Sequence, residues 1–303
     1  MGDLLRRRLL TAFPTLLAVL VLSFLLMRLA PGGPFDGERP LDPATQAALD
    51  QAYGLDRPLG EQLYLYVGRI LTGDFGPSLV YRDFTVTDLV AQGLPVSLQL
   101  GGLALIVALA LGITAGLAAA LAGGRTDRLL MLFLTMLTVL PVFVTGPLLV
   151  LLFALLLGWL PVAGLDTARH LVLPVVALSL PVAGAIGKLL RAGLTEAMAQ
   201  DHIRTARARG LSPLSILLVH ALRPALTPVV SYAGPAAAGL LTGAVVVETV
   251  FALPGLGHYF VQGALNRDYP LVLAVVTLYA ALIILFNLLA DLLYGWLDPR
   301  ARG

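Results

Sequence analysis

Six stretches of this chain contain no Lys, Arg, Asp or Glu: residues 9–27, 94–122, 129–157, 171–187, 224–247 and 271–290. A helix needs about 20 apolar residues to cross the hydrocarbon core of a bilayer. Each stretch meets that length, the fourth by borrowing from its flanks. Six transmembrane helices are therefore expected, over 9–30, 94–122, 129–157, 171–193, 224–248 and 271–295. The intervening polar segments are 1–8, 31–93, 194–223, 249–270 and 296–303. At 58% apolar and 13% charged residues, the composition excludes an ordinary soluble domain.

The basic residues give the orientation. With the N-terminus inside, Arg6, Arg7, Arg8, Arg125, Arg128, Lys188, Arg191, Arg204, Arg207, Arg209, Arg223, Arg300 and Arg302 fall on the cytoplasmic side. Arg28, Arg39, Arg57, Arg69, Arg82, Arg169 and Arg267 fall outside, mostly in one long loop. Positive charge collects on the inner side of short loops, so both termini are expected in the cytoplasm. The opening Arg6–Arg8 and its apolar run imitate a secretory signal. Cleavage after Ala30 would leave Arg28 where a small residue is wanted, so an uncleaved first span is the expectation.

Two polar segments carry most of the punctuation. Residues 31–93 hold nine acidic residues (Asp36, Glu38, Asp42, Asp50, Asp56, Glu61, Asp74, Asp83 and Asp88) against four arginines. Helices are expected from Asp42-Pro43 to Gly54, from Pro58 to Gly73 with Tyr64, Val67 and Leu71 on one face, and from Thr87 to Gly93. This segment is either a platform for an external partner or a cap over the ends of the spans. In 194–223, Asp201 is placed to cap a short helix over His202–Arg209, Gly210 to end it in the left-handed conformation, and Ser212-Pro213 to open the next.

Several weaker signals accompany these. Gly112 and Gly116 permit close helix packing. Paired prolines (141/147, 174/181, 228/235) mark the third, fourth and fifth spans as candidates for kinks. After the fifth span, Glu248–Gly257 and Asn266–Pro270 predict a re-entrant or surface turn that Arg267 and Asp268 help fix. Asn287 and Asp291 share a face of the sixth helix, which closes on Tyr294, Trp296 and Asp298-Pro299-Arg300.

Reaction chemistry is sparse. The chain has no cysteine, and its histidines (His170, His202, His220, His258) lie in loops or at span ends. It carries no zinc-protease, nucleophile-elbow or phosphate-loop motif. A channel would need a pore-lining ring of charge or carbonyls, and Gly255 and Gly257 lie in a short turn. Transport machinery driven by a partner ATPase is the remaining class, with a membrane scaffold or membrane enzyme as the rival.

The stretches MRLAPGGPFDGER (27–39), YGLDRPLGEQ (53–62), GDFGPSL (73–79), IRTARARGLS (203–212), HALRPAL (220–226), VETVFALPGLG (247–257), ALNRDYPLVL (264–273) and LYGWLDPR (293–300) resemble the permease subunits of ABC importers for di- and oligopeptides. The resemblance spans essentially the whole chain, and its opening is most similar to B-type subunits of oligopeptide permeases. It implies an all-α polytopic protein with six transmembrane helices in the type I importer permease fold and a helical periplasmic insertion after the first. It implies a multi-pass protein of the bacterial inner membrane. The implied partners are a C-type sister permease, two cytoplasmic ABC ATPases that carry the ATP and Mg, and an external peptide-binding protein. No cofactor on this chain and no nucleic-acid partner are implied.

The family's coupling motif, E-A-A-x3-G-x9-I-x-L-P, falls on this chain with Gly210 as its glycine and Arg204, Thr205 and Ala206 at E-A-A. His220, Leu222 and Arg223 stand at I, L and P, with a proline one residue later. The resemblance thus implies ATPase coupling through Asp201, Arg204, Thr205, Ala206, Arg207, Gly210 and Ser212. Polar residues inside the spans (Gln99, Thr114, Ser179, Tyr232, Thr242 and Asn287) are the candidates for the translocation pathway. The same skeleton serves dipeptide, glutathione and nickel-complex importers, so the cargo stays open.

Overall fold

The computed structural model describes residues 2–29, 54–81 and 83–297, with the single positions 42, 44, 47, 48 and 51 between them. The body of the expected helix between Asp42 and Gly54 and the terminal Asp298-Pro299-Arg300 lie outside the described residues, as do the side chains of Tyr294 and Trp296. The helices are α1 (Gly2–Leu29), α2 (Leu59–Thr72), α3 (Val86–Ala122), α4 (Gly124–Val139) and α5 (Val142–Leu149, prolonged by a π-helical stretch Val150–Leu156). They continue as α6 (Val172–Met198), α7 (Asp201–Ala208), α8 (Pro213–Val250, wound as a π-helix over Ile216–Ala221), α9 (Leu256–Leu265) and α10 (Tyr269–Leu297). Among the described residues no strand forms, and Pro77 and Thr85 make one isolated bridge.

Five of these helices are long and apolar enough to cross a membrane: Leu10–Leu29, Val86–Ala122, Ala168–Met198, Pro213–Val250 and Tyr269–Leu292. The stretch 129–157, expected as one span, is not a straight helix. It breaks between Val139 and Val142, and its two arms meet at 101°. Pro141 sits in that break with an extended backbone (ψ 141°), where a continuing helix would lose a hydrogen bond and meet the pyrrolidine ring. The other expected kinks do not interrupt the chain: α6 runs through Pro181, and α8 through Pro228 and Pro235.

Local chemistry sets several ends. The expected helix 87–93 and the second span are one element, because α3 already begins at Val86. Thr85 Oγ1 accepts from the Asp88 amide at 3.1 Å while the Asp88 carboxylate accepts from the Thr85 amide at 3.0 Å, a capping box. At the far end of α2, Gly73 adopts φ +76° and the amides of Gly73 and Asp74 close on Ile70 and Arg69. Tyr64 and Leu71, expected on one face of α2, are both more than three-quarters exposed there.

The centre of the bundle is α6, packed against α3, α4 and α8. Glycine lets the backbones touch. A Cβ on Gly112 would stand 2.7 Å from the Ala183 carbonyl oxygen, and one on Gly116 would stand 2.6 Å from that of Gly187. Gly184 is pressed against the Leu134 carbonyl of α4 in the same way, and Gly193 against that of Ala225 in α8. Small residues at such spacings allow this approach in lipid, where dispersion and not water drives association. α1 lies at the periphery along α10, with Leu10, Phe13, Leu26 and Leu29 turned outward.

Candidate functional site

α7 is a short, strongly charged helix slung beneath the bundle between α6 and α8. Its N-cap is Gln200, not Asp201 as the sequence suggests: Gln200 holds the extended conformation (ψ 155°), and its carbonyl accepts from Ile203 and Arg204. Asp201 occupies the first helical position and reaches Arg204 at 3.3 Å. A carboxylate there still favours the helix, because the N-terminal turn carries partial positive charge. At the other end Gly210 takes φ +74°, with its amide on Arg207 and that of Leu211 on Ala206. This pair of bonds is a Schellman closure that an L side chain would strain. Ser212 then accepts from the Ser215 amide at 3.3 Å and Pro213 opens α8.

Two side chains fasten α7 to the bundle. Ile203 and Ala206, one turn apart, are fully and almost fully buried. They enter a cluster with Leu190, Leu194 and Ala197 of α6 and Ile216 and Ala221 of α8. Of the residues expected to couple, Ala206 is therefore an anchor. Asp201, Arg204, Thr205, Arg207, Gly210 and Ser212 face outward. The exposed surface is basic and continues into an apolar strip on α8, Leu214, Leu218 and Val219, each more than half exposed. α7 is thus packed onto the ends of both α6 and α8.

Higher on α6, Arg191 makes a bidentate pair with Asp127 of α4 (Nε–Oδ1 3.1 Å, Nη2–Oδ2 2.6 Å). Lys188 donates to the Thr138 hydroxyl at 3.0 Å. A planar guanidinium on a carboxylate fixes orientation as well as distance. The two cations inside the expected fourth span and its flank therefore tie α4 to the helix that carries α7.

The opposite end of the bundle is organised by a residue that sequence reasoning left inside a turn motif. Glu248, fully buried near the end of α8, accepts from the Ser97 hydroxyl of α3 at 2.6 Å and from the amides of Gly257 and His258 at 2.7 and 3.2 Å. Ser97 in turn accepts from the Leu256 amide at 2.9 Å. A Cβ on Gly255 would fall 2.3 Å from the Glu248 carboxyl carbon, so the loop wraps the carboxylate closely. One buried carboxyl group thus satisfies amides in the first turn of α9 and joins three elements. The signal was present as a lone acid bordering a charge-free run, with glycines seven and nine residues on. Asp268, as expected, fixes the following turn: it is buried and accepts from the Ser78 hydroxyl and from the amides of Val80 and Leu271, both at 3.3 Å. Beside it, burial pushes the Tyr81 phenol above its ordinary pKa, and the neighbouring Tyr259 and Asp268 push the same way.

The six polar pathway candidates are scattered. Gln99, Thr114 and Thr242 are exposed, and the two threonines return their hydroxyls to their own helices. Ser179 is fully buried on the Val176 carbonyl, and Tyr232 packs against the cluster that anchors α7. Asn287 lines a cavity of about 190 Å³ between α1 and α10, where Arg8 and Asp291 pair at 2.8 Å. Thr242 belongs to an outward stripe of α8 with Ser231, Pro235, Gly239, Val246 and Thr249.

Residues 108–303 match the family model for the binding-protein-dependent transport system inner membrane component. Over 299 residues, 98% of both chains, the sequence is 48% identical to the oligopeptide transport system permease protein OppB of Haemophilus influenzae, and 47% identical to that of Escherichia coli K12. It is 40% identical to the dipeptide transport system permease protein DppB of Bacillus subtilis, covering 95% of this chain and 94% of that one. Among solved structures, an inward-facing form of the MetNI methionine ABC transporter superposes with TM-score 0.57 at 19% identity, over 69% of this chain and 96% of that one. An amino acid ABC transporter superposes with TM-score 0.56 at 17% identity, over 69% and 94%.

Proposed function

The chain belongs to the family of binding-protein-dependent inner-membrane transport components, which transport and do not catalyse, and on that premise we propose that it is one half of the membrane pathway of an ATP-driven oligopeptide importer. The observation that carries this reading is α7, fixed to the bundle by Ile203 and Ala206 with every charged side chain turned outward. In this reading both termini and α7 lie in the cytoplasm. The basic face of α7 seats on one of two ABC ATPases that bind ATP and Mg. At 1.5 Å per residue α7 is roughly 12 Å long, so it acts as a rigid lever. When the ATPase pair closes, the push on α7 passes through the buried cluster to α6 and α8. The Arg191–Asp127 pair carries it on to α4.

The outward stripe of α8 is assigned to the sister permease, since its small side chains permit close approach. An external binding protein delivers peptide to the cavity between the two permeases, beneath the α8–α9 loop that Glu248 holds. The full-length identity to oligopeptide permeases favours oligopeptides over dipeptides as cargo. The test is ATPase activity of the reconstituted complex, with sister permease, ATPases and binding protein, under a panel of di-, tri-, penta- and octapeptides. Stimulation by the longer peptides supports the reading. Stimulation by dipeptides, glutathione or a nickel complex alone keeps the architecture and overturns the cargo. No stimulation by any of them in an assembled complex returns the chain to a scaffold.

A further inference from the structure

At the end of the bundle remote from α7, a cavity of about 230 Å³ lies between the last turn of α1, α2 with its flanking segments, and the start of α10. Its described lining includes three arginines (Arg28, Arg57 and Arg69) and no carboxylate. Arg57 is engaged by Glu61 at 2.8 Å. The Arg28 guanidinium lies 5.6 Å from the Phe24 ring centre and 5.8 Å from that of Tyr269, which holds its charge at the cavity wall.

Two further lining groups have unmet hydrogen-bonding capacity. Gln62 is about nine-tenths buried, and its amide nitrogen is spent on the carbonyls of Leu55 (3.0 Å) and Arg57 (2.7 Å). That assignment leaves Oε1 as an acceptor, and Oε1 has no partner among the described residues. The Tyr66 hydroxyl is likewise buried and, among the described residues, makes no well-aligned hydrogen bond, Thr277 being its polar neighbour. Burial pushes its phenol up to about 12, and the nearby Thr277 hydroxyl offsets only part of that rise. Buried polar atoms left unpaired are rare in folded proteins and call for a ligand or water.

The depth of the cavity selects the ligand. The apolar part of α1 ends at Leu29, and that of α10 begins at Tyr269, so the cavity sits where hydrocarbon gives way to headgroups, the level at which arginine and tyrosine collect. Next to it Leu26 and Leu29 are more than two-thirds exposed and offer acyl chains a surface. The volume is far above the roughly 15 Å³ that holds one water.

We propose that this cavity binds the headgroup of a membrane phospholipid, with its phosphate held by Arg69 beside the positive wall that Arg28 forms and a headgroup N–H or O–H donated to Gln62 Oε1. The acceptor sets the specificity. Ethanolamine and glycerol headgroups donate hydrogen bonds. The quaternary ammonium of choline donates none, and the aromatic faces that could take it are already covered by Arg28.

The test uses the whole transporter, delipidated in detergent and titrated with short-chain phosphatidylethanolamine, phosphatidylglycerol and phosphatidylcholine, with bound lipid counted by native mass spectrometry. The first two lipids should bind about tenfold tighter than the third, as expected for one buried hydrogen bond. Gln62→Leu should erase that preference, Tyr66→Phe should leave the fold intact and weaken binding, and Arg69→Gln should weaken all three lipids. Arg57→Gln, which removes a guanidinium already paired, should change little. Equal affinity for the three lipids, or a preference that survives Gln62→Leu, overturns the assignment. So does binding of inorganic phosphate with no lipid retained, which makes the cavity a free-anion site. Loss of binding-protein capture in Arg69→Gln with lipid binding unchanged would instead assign it to an acidic protein partner.

Discussion

Replacing Ile203 with alanine probes the attachment of α7 without touching its charged face. The side chain is fully buried in the cluster formed with α6 and α8. Truncation removes three carbons from a packed site that is otherwise held only by Ala206 and the two flanking turns. Buried Ile→Ala changes cost about 2–5 kcal/mol, the spread reflecting how far the site collapses. Taking about 2–4 kcal/mol for a site near the aqueous surface, the detached population of α7 rises roughly 30- to 700-fold, at tenfold per 1.4 kcal/mol. Under the proposed coupling, a detached lever would still seat on the ATPase through Arg204 and Arg207 but would no longer push the bundle. The expected outcome is ATP hydrolysis retained within a factor of two or three while peptide uptake per ATP falls about tenfold or more. Faster amide exchange confined to residues 200–212 should accompany it. Arg204→Ala/Arg207→Ala should do the reverse, weakening ATPase association with exchange unchanged. An Ile203→Ala transporter with normal uptake per ATP and normal exchange would refute the idea that motion passes through this contact.

Further outcomes follow from other parts of the bundle. Gly112→Val and Gly116→Val each drive a side chain into a backbone oxygen of α6 and should lower thermal stability in detergent sharply, whereas Gly102→Ala, with nothing within 4 Å, should be neutral. Glu248→Leu strands the Ser97 hydroxyl and the Gly257 and His258 amides, at about 1–3 kcal/mol for each buried group left unpaired. It should expose 251–257 to limited proteolysis, and Glu248→Gln should do so less, because it keeps an acceptor. Burial pushes the Tyr66 phenol from its ordinary 10 up to about 12, so the folded state binds the proton more tightly. Stability is then full below pH 10 and falls by about 2–3 kcal/mol as pH rises through 12. Tyr66→Phe should flatten that part of the melting-temperature profile.

What could be read in advance was local. Pro58, Gly73, Gly210 and Ser212-Pro213 mark helix ends because capping depends on the residue itself and its nearest neighbours. Gln200 escaped notice because its side chain makes no cap bond and Asp201 beside it is the better cap by type. The break at Pro141 could not be told from the unbroken helices at Pro181, Pro228 and Pro235, since tolerance of a proline depends on what the neighbouring helices offer the freed carbonyl. Gly112 and Gly116 announced a close approach but not its partner, which is α6. The role of Glu248 needed the fold, because Ser97 lies 151 residues away and an acid at a span end is usually just a boundary. The cavity beside Gln62 was equally hidden, since α1, α2 and α10 meet only in space. The intramembrane polar residues share a composition but no common surface: Thr114, Ser179 and Thr242 return their hydroxyls to their own helices, and Asn287 lines a cavity between α1 and α10.

The most direct measurement uses the absence of native cysteine. A single cysteine at position 204 or 207, in the otherwise complete transporter, is treated with a short thiol-to-amine cross-linker, whose second arm reacts with partner lysines, in sealed membranes. Linkage to an ATPase subunit should be rapid at these positions, with a yield that changes when ATP is trapped, and absent from a cysteine at Leu71 or Leu29. Linkage absent at 204 and 207 in a complex that still hydrolyses ATP, or appearing at Leu71, would contradict both the lever and the orientation on which it rests.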